Sequence, residues 1–399
     1  MNMKKNPKNG DMLSLLGFGC MRLPTRGLKI NDREAAEVLL RAVDLGVNYL
    51  DTAYFYHNGD SEAFLGRVLT PERRDKLYIA DKLPPFMVKK PQDMDKIFGV
   101  QRARLKTDRI DYYMMHMLQD MATWDRMKSL GIEKWIDGRK AAGDIVNFGF
   151  SYHGGREQFK SLIDAYPWDF CQIQYNYLDV NNQAGRAGLE YAQSKGVPVF
   201  VMEPLRGGKL AAPLPKQAGD YLAKHSEGRS PAQMALRYVW SHPGVTLLLS
   251  GMNTVGQVEE NAAAASDSAG YALTGEEQHV FQRVRELILS KTAVECTGCG
   301  YCLPCPHGVD IPTCFSLFNE KMSGVGQANF MKYMQATGSF SPTPANASRC
   351  RACGACQARC PQGIPIADKL RQAARKMEGP LFRPVTAAAR LYMGGKGKV

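Results

Sequence analysis

The sequence has no apolar run approaching the ~18 residues that a membrane-spanning helix needs. Its first ten residues, MNMKKNPKNG, also lack the apolar stretch of a secretory leader. The expectation is a cytoplasmic chain with no transmembrane segment, whose cysteines stay reduced. Low-complexity segments are missing too, and no linker longer than a few residues interrupts the chain. At 399 residues, 44% hydrophobic and 23% charged, it is too long for one typical domain, so two domains are expected. Carboxylates are scarce at the C-terminal end, where residues 349–399 hold eleven Lys or Arg against two acids, +9 of the net +12. A basic excess this local, with no accompanying nucleic-acid motif, argues against nucleic acid as a partner. Its last stretch, LFRPVTAAARLYMGGKGKV, reads as a solvated or locally docked tail, with an acidic partner or a membrane surface as alternatives.

Cysteine, in contrast, is concentrated. Eight of eleven fall in two runs, CTGCGYCLPCP (Cys296, Cys299, Cys302, Cys305) and CRACGACQARCP (Cys350, Cys353, Cys356, Cys360). The second has the CxxCxxCxxxCP spacing in which three thiolates bind one iron-sulfur cube and the fourth reaches a neighbouring cube. Two 4Fe-4S clusters are therefore expected, one on Cys296, Cys299, Cys302 and Cys360, the other on Cys350, Cys353, Cys356 and Cys305. CxxC pairs also bind zinc, and dense cysteines also form disulfide frameworks in secreted proteins. Three evenly spaced cysteines followed by CysPro, occurring twice, favour clusters. The first run is one residue short, with two positions between Cys302 and Cys305, which leaves Cys314 as an alternative ligand. Arg349, Arg351 and Arg359 would offset the negative charge of thiolates and clusters.

Residues 15–290 alternate short apolar runs with amphipathic stretches, the habit of a parallel sheet with crossover helices. Strand ends are expected near Cys20, Asp51, Lys82, His116, Ser151, Gln174, Glu203 and Gly251, the first four spaced 31, 31 and 34 residues apart. Eight such units make a closed eight-stranded parallel (β/α)8 barrel the economical fold, with an open doubly wound sheet as the alternative. In DREAAEVLLRAVDLG, Ala36, Leu39, Leu40 and Val43 share a face behind a capping Asn31 or Asp32. Helical patterns at 254–266 and 276–291 close the barrel domain, assigned to 1–291. A small, mostly helical ferredoxin-like two-cluster domain is assigned to 292–379 and a basic tail to 380–399.

In such a barrel the active site lies on the loops at the C-terminal ends of the strands. Asp51, Lys82 and His116 end strands there, and Tyr56 lies five residues beyond Asp51. Each has a bland reading as turn cap, surface cation or core hydrogen-bonder. A free phenol ionises only near pH ~10, and a close ammonium from Lys82 would lower that by about 3 pKa units, or about 4 kcal/mol, to reach neutrality. Asp51 would be the ammonium's own partner, and His116 would orient the oxygen of a small-molecule carbonyl substrate. Tyr56 would then protonate that oxygen while hydride reaches the carbon.

These residues resemble the aldo-keto reductase family. The likeness runs through GFGCMRLP (17–24), DTAYFYHNGDSEAFLG (51–66), IADK (79–82), DYYMMH (111–116), GFS (149–151), QYN (174–176), EPLRGGKL (203–210) and SGMNTVGQVEEN (250–261), about residues 12–290. It implies a catalytic tetrad of Asp51, Tyr56, Lys82 and His116, with Tyr56 as proton donor, and an NADP or NAD cofactor. Ser151, Gln174 and Asn176 would meet the carboxamide, with Tyr177 or a neighbour beneath the ring. Leu205, Gly207, Gly208 and Lys209 would cradle the pyrophosphate, and Gln257, Glu260 and Asn261 the adenosine. Gly19, Met21 and Gly251 complete the implied cofactor contacts. The whole chain is similar to the subgroup carrying a C-terminal ferredoxin-type domain. Two departures stand out. His57 follows Tyr56 where many members have glycine, and no Lys or Arg occurs from Val245 to Gln282, where a cation for a 2'-phosphate is often found. Hydride carries two electrons and a cluster one, and no flavin fingerprint bridges them. The clusters are thus assigned to electron transfer or redox sensing, with a ferredoxin or flavoprotein as electron partner. The competing reading is an iron-sulfur electron-transfer or sensor protein on an idle barrel.

Overall fold

The computed structural model of the protein describes residues 1–399 except 28, 155, 212, 269, 292, 295, 297–299, 301, 324–327, 338–343, 361–362 and 395–399. It divides into two units, Met1–Ala212 with Ser226–Gln278, and Pro213–His225 with His279–Val399.

In the first unit eight strands close a parallel barrel in chain order: β1 (Leu16–Gly19), β2 (Tyr49–Asp51), β3 (Tyr78–Leu83), β4 (Ile110–Leu118), β5 (Ile145–Tyr152), β6 (Phe170–Gln174), β7 (Val199–Met202) and β8 (Val245–Ser250). The expected closed barrel is what forms. Because strand side chains alternate, one residue in two points inward. The inward rows begin with Tyr49, Tyr112, Phe170, Phe200 and Leu247 and continue with Ala80, Met114 and Leu249, all buried in one cluster. The rings interlock, Tyr49 to Tyr112 at 5.2 Å and Phe170 to Phe200 at 4.9 Å between centroids. This layer closes the barrel as a solid core rather than a pore. One step beyond it on β2, β3 and β4, the same period carries Asp51, Lys82 and His116. Ladder register reinforces this, pairing Asp51 with Ala80 and Lys82 with Met114. Met114 and Met115 are core; Met117, at φ +56°, is exposed.

Asn31 does sit at the N-cap of helix Asp32–Asp44, but its side chain makes no capping bond there. The buried face is Ala35, Val38, Leu39 and Ala42, rotated one residue from the expected stripe, which leaves Ala36, Leu40 and Val43 half-buried. The apolar arc is wider than the contact, and packing selects one edge of it.

The second unit is mainly helical in its described part, with helices Ile311–Ser323, Phe330–Ala336, Ile366–Met377 and Phe382–Gly394. Phe315, Phe318, Tyr333, Leu370 and Phe382 anchor its core. In their described residues the two cysteine runs share the same turns. Gly300 and Gly354 both take φ +79°, a left-handed value that suits glycine. Their carbonyls accept from Leu303 and Gln357 at 2.8 and 3.0 Å, equivalent positions in the two runs. Downstream, Cys305 and Cys360 each accept from the glycine three residues on, at 2.9 and 3.1 Å. Helices then begin at Ile311 and Ile366, six residues past each cysteine. The one-residue deficit of the first run is thus confined to the stretch between its third and fourth cysteines.

Gly66 shows how tightly the barrel's outer helices close. A Cβ there would stand 2.2 Å from the carbonyl oxygen of Arg104 on the neighbouring helix. Gly66→Ala is expected to cost at least about 1–3 kcal/mol, since backbone rather than a side chain must yield. Calorimetry should record a drop of several degrees in Tm, and a Tm within about 1 °C of wild type would mean the helices part freely.

Candidate functional site

The three groups at the ends of β2, β3 and β4 and the phenol beyond β2 meet at the barrel mouth. Lys82 Nζ donates to Asp51 Oδ1 at 2.6 Å, to the carbonyl of Thr52 at 2.6 Å and to Tyr56 Oη at 3.3 Å. An ammonium has three hydrogens, and each has its acceptor. The Tyr56 oxygen is therefore an acceptor toward Lys82, which leaves its own hydrogen to donate elsewhere. Lys82 and Asp51 are buried, at 1% and 3% exposure, and Tyr56 is half-buried. The His116 ring lies edge-on to Tyr56, centroids 6.1 Å apart, with its Nδ1 buried and unpartnered among the described residues. Asp51 Oδ2 is likewise buried without a partner there.

The electrostatics correct one expectation. Burial raises the Tyr56 phenol above its ordinary value, and the nearby Lys82 ammonium only partly opposes that. Tyr56 is not drawn toward neutrality but holds its proton at neutral pH, the state an acid needs. Burial works against the Lys82 charge, but Asp51 and Tyr56 outweigh it and hold the ammonium above its ordinary range. Burial, then Lys82 and His153, lower His116 from 6.5 to about 3, so its ring is neutral and can donate at one nitrogen. His57, at φ +52°, has its imidazole against the backbone carbonyls of Cys20 and Met21.

The residues expected around a dinucleotide are placed unevenly. Gly19 abuts the backbone of Ser250 and Gly251, 3.6 Å from a Cβ built on it. Gly207 and Gly208 form a left-handed turn at φ +68° and +90°, with Leu205 and Lys209 half-buried in the same loop and Met21 exposed beside Arg22. Ser151 Oγ accepts from Met117 N at 2.9 Å. Gln174 and Asn176 donate to Asp179 at 2.8 and 3.2 Å, and Arg206 pairs with Asp179 at 3.0 Å. Their amides are thus already tied into the loops after β6 and β7. Tyr177 is packed edge-on to Tyr238 at 1% exposure, which leaves little ring surface for a ligand. On the helix after β8, Gln257 accepts from Asn253 N at 2.9 Å, Glu260 accepts from Ser230, and Asn261 donates to Ser250 at 3.2 Å.

Two contributors escaped the sequence reading. The Thr52 carbonyl, an acceptor for Lys82, has no residue-type signature at all. Arg22 stood only within the GFGCMRLP stretch and was given no role, yet its guanidinium reaches 2.9 Å from a Cβ built on Gly207, and its stem lies 3.1–3.3 Å from one on Gly251. A cation thus lies against Gly207, where the pyrophosphate was expected, and against Gly251, another implied cofactor contact, although the stretch after β8 has none.

In the second unit, Cys305, Cys350, Cys353 and Cys356 line one small cleft, with His307, Arg351 and Leu370 among the other walls. Cys305 comes from the first run, the other three from the second. Among the described residues, no three His, Cys, Asp or Glu side chains converge as on a single ion. The four cysteines stand instead around a space. Ala352 N donates to Cys350 Sγ at 3.4 Å. The alternative ligand Cys314 is buried elsewhere, 3.7 Å from the Tyr333 hydroxyl and 3.6 Å from the Ala345 carbonyl. Cys296 and Cys360 are half-buried and Cys302 buried, all against the same core. Cys299 lies outside the described residues.

Comparison with known proteins gives two family matches. Residues 15–269 match the Aldo/keto reductase family and residues 295–365 a 4Fe-4S dicluster domain. The chain is 27% identical over 274 residues to the 6-dehydroglucose reductase of Novosphingobium aromaticivorans, covering 64% of this chain and 88% of that one. It is 28% identical over 273 residues to a methylglyoxal reductase of Escherichia coli, covering 66% and 89%. Among solved structures, the holo form of an aldo-keto reductase from Bacillus halodurans aligns with TM-score 0.59 at 27% identity, over 71% of this chain and 96% of that one.

The His116 environment has a pH signature. A ring held at about 3 when folded and free to protonate near 6.5 when unfolded binds fewer protons folded, so this contribution to stability is lost as pH falls from about 6.5 to about 3. NMR should find the His116 ring neutral at pH 5; a titration midpoint near 6.5 would contradict the burial described.

Proposed function

The chain belongs to the aldo/keto reductase family, and on that premise we propose that this oxidoreductase reduces an aldehyde or ketone with Tyr56 as proton donor. When bound, NADP or NAD supplies the hydride. The observation that carries this reading is the saturated ammonium of Lys82: its bond to Tyr56 Oη turns the phenol's hydrogen outward while burial keeps that hydrogen on the oxygen. As the substrate oxygen gains negative charge it takes the proton from Tyr56, and the adjacent ammonium stabilises the phenolate left behind. Neutral His116 donates a hydrogen bond to the same oxygen and fixes its position. The unpartnered Nδ1 of His116 and the glycine-lined turn beside Arg22 suit such a ligand. Arg22, with Gly207, Gly208, Lys209 and Gly251, would hold the phosphates, and Ser151, Gln174 and Asn176 the carboxamide end. That two curated relatives are named as reductases of 6-dehydroglucose and methylglyoxal supports a small carbonyl substrate.

For the second module we propose two 4Fe-4S clusters, one on Cys350, Cys353, Cys356 and Cys305, the other on Cys296, Cys299, Cys302 and Cys360. The four-cysteine cleft and the dicluster-domain match support the first set, and the matching turns of the two runs support the second. Such clusters supply one-electron chemistry, while the chain's part is to hold and shield them. We place the barrel module at 1–291, the cluster module at 292–379 and the basic tail at 380–399. None of the described helices is long and apolar enough to cross a membrane, and a cytoplasmic location is proposed.

Tyr56→Phe is expected to lower carbonyl reduction by about 10²–10⁴-fold, with nicotinamide binding and iron content unchanged; undiminished turnover would remove Tyr56 from the chemistry. Cys305→Ser should lose about half of the iron and acid-labile sulfide, since one of two cubes loses a ligand. Cys314→Ser should keep all of it, and the reverse pattern would reassign the fourth ligand.

A further inference from the structure

Around the four-cysteine cleft the surface is sharply patterned. Cys356 is buried and Cys305 and Cys350 are half-buried, but Cys353 is exposed. Next to it Ala352, Gly354, Ala355 and Ala358 are also exposed, small and uncharged, so another molecule's surface can come close to that sulfur. Exposed Arg351 and Arg359 flank this strip in sequence. Helix Ile366–Met377 contributes Ala367 and Leu370 to the cleft wall and bears exposed Arg371, Arg375 and Lys376. From Arg349 to Arg383 there are eight Lys or Arg and two acids. Both acids are already engaged, Asp368 with Arg371 at 3.0 Å, and Glu378 with Tyr333 and Asn346 at 2.7 and 2.9 Å.

Local charge compensation at the thiolates explains only part of this. The hydrogen bond to the Cys350 sulfur comes from a backbone amide, Ala352 N. Arg349 is turned onto the His307 carbonyl at 3.2 Å. Arg351, Arg359 and Arg375 are left facing solvent, Arg375 two turns along the helix from the cleft-lining Ala367. A strip of small residues over a half-open redox site, bordered by cations in solvent, is complementary to a negatively charged surface.

We propose that this face docks an acidic one-electron carrier protein, and that the site of Cys305, Cys350, Cys353 and Cys356 exchanges the electron with it. The proposal rests on the cluster reading above. The carrier gives up one electron and the four-cysteine site gains one; no bond is made or broken and no proton moves. Attraction between opposite charges would speed encounter strongly at low salt and fade as salt screens it.

The test uses the full chain, purified anaerobically with its iron and sulfide measured, mixed in a stopped-flow instrument with a reduced acidic 2Fe-2S ferredoxin. Absorbance near 400 nm follows the electron. The comparison is the double variant Arg351→Glu/Arg359→Glu, with photoreduced deazaflavin as a small reductant that needs no docking surface. Wild-type transfer from the ferredoxin should slow by at least about tenfold between low and high salt, and the double variant should be slower by at least about tenfold at low salt. Its deazaflavin rate and iron content should match wild type. Equal ferredoxin rates in the two proteins, or a rate indifferent to salt, would overturn the docking face while leaving the clusters standing. Wild-type protein without iron and sulfide would overturn both.

Discussion

The arrangement at the barrel mouth depends on one buried ion pair. Removing a charge from water costs several kcal/mol, so an ammonium at 1% exposure survives only with its partners in place. Lys82 has three: a carboxylate, a carbonyl and a phenol. The carboxylate and carbonyl come from adjacent residues, Asp51 and Thr52, and the phenol from the turn that follows. That geometry in turn requires β2 and β3 to keep their register, because a one-residue slip would send Lys82 to the outer face of the sheet. The aromatic layer below, from Tyr49 through Phe200, fixes the register by filling the barrel. Packing energy at the bottom of the barrel is thus what holds a proton in position at the top.

Much of this was legible in the sequence because it is periodic. Strand ends fell within two residues of those observed, since apolar runs and their spacing reflect burial directly. Asp51, Lys82 and His116 could be grouped because strand ends of a barrel share one mouth. The cysteine runs were legible for a different reason: ligand spacing around a cube is covalent geometry, little influenced by the rest of the fold. Cys305 is the fourth wall of the cleft, and the alternative Cys314 proves to be a core thiol beside Tyr333.

What stayed hidden is of three kinds. Backbone acceptors such as the Thr52 carbonyl carry no side-chain identity. Long-range placements, such as Arg22 across Gly207 and Gly251, depend on how loops from β1, β7 and β8 turn, and no local pattern encodes that. Balances of opposing effects, finally, cannot be weighed from residue types. Lys82 beside Tyr56 suggested a lowered phenol, whereas burial proved the larger influence. The rotated stripe of helix Asp32–Asp44 belongs here as well, because composition marks the arc and the neighbour decides which part of it is covered.

The cleft of the second unit takes three walls from one run and its fourth, Cys305, from forty-five positions earlier. Between Cys305 and Cys350 lies helix Ile311–Ser323, whose Phe315 and Phe318 are central to the module's core. A chain in which that helix has not settled therefore holds three sulfurs together without the fourth beside them. Closure of that four-sulfur cleft is a report that the intervening polypeptide has found its place, so assembly of the cleft and assembly of the module's core become a single event.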